Sequence, residues 1–187
     1  MRGFEVDTEP VKANKSIGHQ ITTMPNPPTT FVEITTYISK ISVTLGRRLR
    51  KKSLAAQGLS LSIRYLNGAW WGKMFRNTFT YRSDYEILQL AKMLLKKQIN
   101  FSEPVRKITI TLFNLTNDRQ LMLPSCRWGE RTLQLAYAVD KINDKFGQNS
   151  IMPLRSFNTS HIDLNRVGFA GDLMRERANP TDTKHYK

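Results

Sequence analysis

The sequence has a single cysteine, Cys126, so no disulfide can close within it, and a reducing compartment such as the cytoplasm is the expectation. No run approaches the ~18 apolar residues that a membrane-spanning helix needs. Met1–Asp7 lacks the apolar stretch of a secretory signal, so a soluble protein with no membrane partner is expected. Acidic residues are few, 15 against 29 Lys plus Arg, for a formal charge of +14. An excess of that size points to a polyanionic partner, with nucleic acid ahead of an anionic membrane.

Catalytic equipment is equally thin. The three histidines, His19, His161 and His185, share no metal-ligand spacing. There is no Cys/His cluster, no glycine-rich phosphate loop and no Gly-x-Ser-x-Gly elbow. The carboxylates are scattered, which argues against a two-metal site, and nothing near Cys126 would activate its thiol. The chain reads as one that binds rather than reacts, with no metal or cofactor of its own.

What is present is a pattern of strands and helices. Lys15–Thr23 alternates, with Ile17, His19 and Ile21 to one side, and reads as a first strand. Prolines in Met24–Pro28 must end it. Thr30-Phe-Val-Glu33 is a capping box, and Phe31, Ile34, Ile38, Ile41, Leu45 and Leu49 follow at helical spacing. The later turns carry a basic run, Arg47–Lys52. It suits the negative end of the helix dipole and is equally consistent with a solvated helix end. Gly58 is the expected stop.

Leu59, Leu61, Ile63 and Tyr65 alternate with Ser60, Ser62 and Arg64, and Asn67-Gly68 is a hairpin turn signal. The returning strand, Lys73–Thr80, sets Phe75 and Phe79 on one face and Arg76 and Thr78 on the other. Trp70 and Trp71 flank the turn. Either could stack on unpaired bases or cap the end of the sheet. Ser83-Asp-Tyr-Glu86 is a second capping box, opening a helix with the stripe Ile87, Leu88, Ala91, Leu94 and Leu95 and a wet side of Lys92, Lys96 and Lys97.

From Val105 a fourth strand turns Ile108, Ile110 and Leu112 one way and Lys107, Thr109 and Thr111 the other. The fold class is therefore α+β, in the order β-α-β-β-α-β: a four-stranded antiparallel sheet with two helices on one face. The other face would carry Ser60, Ser62, Arg64, Arg76, Lys107, Thr109 and Thr111. Hydroxyls and guanidinium groups there suit a phosphate backbone. A third helix, Thr132–Phe146, has the stripe Leu135, Val139, Ile142 and Phe146, with Gly147 as its stop. Ile151–Phe157 reads as a short extended piece. The expected organisation is a linker over 1–14, an α+β binding domain over 15–113, a linker over 114–126, a helical extension over 127–157 and a poorly ordered basic tail over 158–187.

Several of these stretches are also familiar. Lys15-Ser16-Ile17-Gly18-His19 resembles the strand that opens the little-finger domain of Y-family translesion DNA polymerases, and the order of elements through Val105–Ile108 matches that domain. Asp140–Gly147 is similar to the helix end past the little finger in bacterial members of the DinB, UmuC and ImuB type. Gln120-Leu121-Met122-Leu123 resembles the sliding-clamp-binding peptide, with Pro124 where that peptide commonly has Phe. Gln20 stands where the family often has Glu. The resemblance covers roughly Lys15 to Gly147.

It implies a C-terminal piece whose catalytic palm, with its carboxylates and Mg2+, would lie before Met1. It implies sequence-blind binding of duplex or primer–template DNA through the backbone amides of Ser16, Ile17, Gly18, His19 and Gln20. The side chains of Lys15, Arg64, Arg76, Arg106 and Lys107 would join them. It implies a second partner, a sliding clamp, engaged by Gln120, Leu121, Met122, Leu123 and Pro124: the leucines would fill an apolar pocket and Gln120 would supply a hydrogen bond. A monomer is expected. Without that function, the pentapeptide is a surface loop.

Two other readings stand beside this one. A ferredoxin-like RNA-binding module shares the order of elements, but it would put the last strand at a sheet edge and aromatic side chains on the open face. A regulatory fragment competing for the clamp would have the same physics and a different biology.

Overall fold

The computed structural model describes residues 16–96, 103–117, 127–147 and 149–159. The elements are β1 (Ser16–Thr22), α1 (Phe31–Lys51), β2 (Leu54–Tyr65), β3 (Trp70–Tyr81), α2 (Asp84–Lys96), β4 (Val105–Asn117) and α3 (Arg127–Phe146), followed by a 3-10 helix, Leu154–Thr159.

Both capping boxes form. The Glu33 amide donates to Thr30 Oγ1 at 3.2 Å, and the Thr30 and Thr29 amides donate to Glu33 Oε2 at 3.2 and 3.0 Å. Those two amides hold the Glu33 carboxyl below its ordinary pKa. At α2, the Glu86 amide donates to Ser83 Oγ and the Ser83 amide to Glu86 Oε2, at 3.2 and 3.1 Å. Along α1 the buried residues include Ile34, Ile38, Ile41, Leu45 and Leu49, the stripe the spacing predicts. The helix stops earlier than Gly58: it caps at Lys52, and the chain is already in β2 at Leu54. Gly58 instead serves a close approach, because a Cβ there would run into the Phe113 ring of β4.

The sheet order is β1-β4-β2-β3, antiparallel throughout. The last strand is thus interior, paired with β1 on one side and β2 on the other. A ferredoxin-like sheet would leave it at an edge, so the strand order speaks against the RNA-binding alternative. The hairpin between β2 and β3 turns through Asn67-Gly68, with Gly68 at φ 88° and the Ala69 amide donating to Asn67 Oδ1 at 2.9 Å.

Both α1 and α2 pack on one face of the sheet, over Leu59, Leu61, Ile63, Ile108, Ile110 and Leu112. On β3 the expected partner Phe75 packs against this core, but Phe79 is 63% exposed. Between Arg76 and Tyr81 the β2–β3 register shifts, with four intervening residues of β3 set against one of β2, and simple alternation fails there.

The third helix lies against α1 and α2 rather than on the sheet. Among its described side chains, from Arg131 on, the buried ones are Leu133, Ala136 and Asn143, while Leu135 and Phe146 of the expected stripe are 65% and 67% exposed. Polar contacts decide this orientation. The guanidinium of Arg50 donates to both Asp140 oxygens (Nε 2.7 Å, Nη2 3.1 Å), to Asp84 (2.6 Å) and to the Arg82 carbonyl (3.2 Å). Arg47 pairs with Asp144, and Asn143 exchanges two 2.9 Å hydrogen bonds with the backbone of Ile151. Where an extended piece is expected after Ile151, the chain forms a 3-10 turn, with Ser156 Oγ 3.0 Å from Ser39 Oγ.

Candidate nucleic-acid interface

Strand register makes the sheet face opposite α1 and α2 a four-by-four grid. Reading across β1, β4, β2 and β3, its rows are Ser16–Phe113–Gly58–Arg76, Gly18–Thr111–Ser60–Met74, Gln20–Thr109–Ser62–Gly72 and Thr22–Lys107–Arg64–Trp70. Arg64, Arg76 and Lys107, expected together from alternation, do share this face. They sit at its two ends, with Arg64 directly across from Lys107. Hydroxyls and glycines make up most of the middle, together with Gln20 and the exposed Met74. Arg64 and Arg76 are exposed, and Lys107 is half-buried. Arg76 lies 3.1 and 3.2 Å, through Nε and Nη2, from the Asn114 amide, oriented so that its oxygen accepts.

Arg106 is also exposed. It is the extra residue of a bulge, since Arg64 pairs with Lys107 and Tyr65 with Val105. Its carbonyl accepts from the Thr23 amide at 3.0 Å, tying the end of β1 to the bulge. Among the described strands β1 pairs only with β4, so one side of its backbone stands outside the ladder. Ser16 to Gln20 lie on that edge strand, and the Gly18 carbonyl accepts from Arg48 Nη1 at 3.3 Å. The side chains of Ile17 and His19 point into the core, with His19 5% exposed, so these two residues could offer a ligand only their backbone. Burial, aided by the nearby charges of Arg48 and Lys40, lowers the imidazole pKa to about 4. Lys15, Gln120–Pro124 and the expected tail from 160 on lie outside the described residues.

Two large side chains on this face escape the sequence reading. Extending the β3 alternation of Arg76 back through Met74 and Gly72 would have placed Trp70 on the same side, but the strand is expected to start only at Lys73. Phe113 continues the parity of Thr109 and Thr111 and covers Gly58.

Among the described residues no three His, Cys, Asp or Glu side chains come together as a metal site, and no described helix is long and apolar enough to cross a membrane. No carboxylate, imidazole or thiol stands among the grid positions. It can hold a ligand by charge and hydrogen bonds.

Residues 14–123 match the model of the impB/mucB/samB family C-terminal domain. The chain belongs to that family. The matched residues hold the Lys-Ser-Ile-Gly-His strand and the order of elements that carry the resemblance. A DNA polymerase IV of Pelotomaculum thermopropionicum is 28% identical over 88% of this chain and 41% of that protein. A DNA polymerase IV of Oceanobacillus iheyensis is 28% identical over 94% of this chain and 42% of its own. A solved Y-family DNA polymerase chimera is similar at a TM-score of 0.48 and 21% identity, covering 58% of this chain and 31% of the other. The chain therefore spans about two-fifths of the length of the curated relatives it matches. The family match ends at 123, so α3, with its grip on Arg50, lies beyond the family segment.

Proposed function

We propose that this domain lays its open sheet face along duplex or primer–template DNA, as the sequence-blind grip of a translesion polymerase working as a monomer in the cytoplasm. The observation that carries this reading is the grid: Arg64, Arg76 and Lys107 share one hydroxyl-lined face that no described helix packs on. Lys15 and Arg106 add cations, and the amides of Ser16 to Gln20 lie on the adjoining edge strand. Such groups contact phosphate and sugar without reading base sequence, as a bypass enzyme meeting a damaged template requires. Polymerisation and its Mg2+ belong to the palm of a longer parent. The DNA-binding unit, expected over 15–113, would extend to Asn117, where β4 ends, with linkers at 1–14 and 118–126, the helical extension at 127–157 and a tail beyond.

The test is anisotropy on labelled duplexes of unrelated sequence over a salt series. Neutralising five phosphates predicts a slope of log affinity against log salt of about −4 to −5, alike for each sequence. A flat response, or strong preference for one sequence, would falsify the reading. Gln120–Pro124 is proposed as the sliding-clamp peptide, weak alone and strengthened by tethering on DNA. Replacing Leu121 and Leu123 by Ala should abolish clamp pull-down while DNA binding persists. Clamp capture that survives the double change would reduce the pentapeptide to a surface loop.

A further inference from the structure

Trp70 is the one large aromatic side chain that the grid leaves mostly in water. It is 75% exposed, at the hairpin end of the face. Its neighbour Trp71 points to the other side and packs against the core, so the task of closing that end of the sheet is already filled. The next residue on Trp70's own face is Gly72. A Cβ there would stand 2.8 Å from the indole Cζ3, so the ring leans along the strand over bare backbone. Across the ladder from Trp70 is Arg64, and across from Arg64 is Lys107. One row thus offers an indole beside two cations.

That pairing has a definite chemical preference. Cations track phosphates, whereas an indole gains most from a nucleobase whose π-face is free. Inside a duplex both faces of every base are already stacked, so the indole has no such partner there. We propose that Trp70, with Arg64 beside it on the ladder and Lys107 one strand further on, is a stacking site for an unpaired base, so that the domain grips single-stranded DNA next to the duplex it holds. The proposal rests on the duplex-binding reading and adds a second class of ligand, single-stranded DNA, to the same face.

The experiment uses the 187-residue chain and two probes, a blunt duplex and the same duplex with a short single-stranded thymidine extension. The extension should raise affinity by about 5- to 150-fold, the range of one base stacked on an aromatic ring. Trp70→Ala should erase that gain and Trp70→Phe should keep part of it. At 75% exposure the side chain contributes little to folding, which circular dichroism of each variant checks. Tryptophan emission should be quenched by the extended probe in the wild type, and the quenching should vanish in Trp70→Phe. A wild-type chain that binds both probes equally, a gain that survives Trp70→Ala, or quenching that persists in Trp70→Phe each overturns the stacking site while leaving the duplex reading intact. Failure to bind even the blunt duplex overturns the duplex reading, and the stacking site with it.

Discussion

His19 shows how one position serves two demands. Its backbone belongs to the edge strand proposed to meet phosphate, while its side chain is driven into the core by the alternation that buries Ile17 and Ile21. Among the described residues its Nε2 has no hydrogen-bond partner, and burial beside Arg48 and Lys40 sets its pKa near 4. An unfolded chain would titrate this residue at its ordinary 6.5. Between those values the unfolded state takes up a proton and the folded state does not, so stability falls as pH drops from about 6.5 to 4. At one kcal-scale increment per pKa unit, the loss is on the order of 2–3 kcal/mol. Replacing His19 by Leu should flatten this part of the profile. Urea midpoints measured from pH 7 to 4 would show it; an unchanged slope in His19→Leu would mean that other groups govern acid sensitivity.

The elements differ in how far their sequence alone specifies them. Capping boxes at Thr30 and Ser83, the α1 stripe and the alternation of β1, β2 and β4 are local signals that agree with one another, and the structure follows them. Two-residue periodicity was also enough to place Arg64, Arg76 and Lys107 together. It fails where the ladder slips, at Phe79, and where the strand outruns its obvious signal, at Trp70. The third helix is the instructive case. Its most regular apolar stripe, Leu135, Val139, Ile142 and Phe146, is not its most buried one, because Arg50 needs carboxylates and finds Asp140 as well as Asp84. A guanidinium whose side chain is 2% exposed would be costly without them. No one-dimensional pattern announces that Arg50, Asp84 and Asp140 meet. The consequence is measurable: Leu133→Ala, at 7% exposure, should cost about 2–3 kcal/mol, whereas Leu135→Ala should fall within about 0.5 kcal/mol of wild type. Urea unfolding that reversed this order would return Leu135 to the core and detach α3 from its polar anchor.

At the scale of the whole molecule, a charge of +14 says that a polyanion is near but not where it binds. The densest basic run, Arg47–Lys52, looks like the obvious place and turns out to be spent largely within the fold. Arg47 and Lys51 both face Asp144, Arg50 is buried between two carboxylates, and Arg48 reaches the Gly18 carbonyl. The sparser cations of the grid lie on the opposite side of the sheet from α1 and, among the described residues, have no such duties apart from the Arg76–Asn114 contact. Counterion release counts only the cations that meet phosphate. Removing Arg64 and Lys107 together, as Gln, should therefore make the salt slope shallower by roughly 2 and weaken binding alike for every sequence. Removing Arg47 and Lys51 together takes the same two charges from the chain and should leave the slope within error of wild type. Equal slopes for the two double variants would show that binding follows net charge alone, and the grid would lose its claim to be the interface.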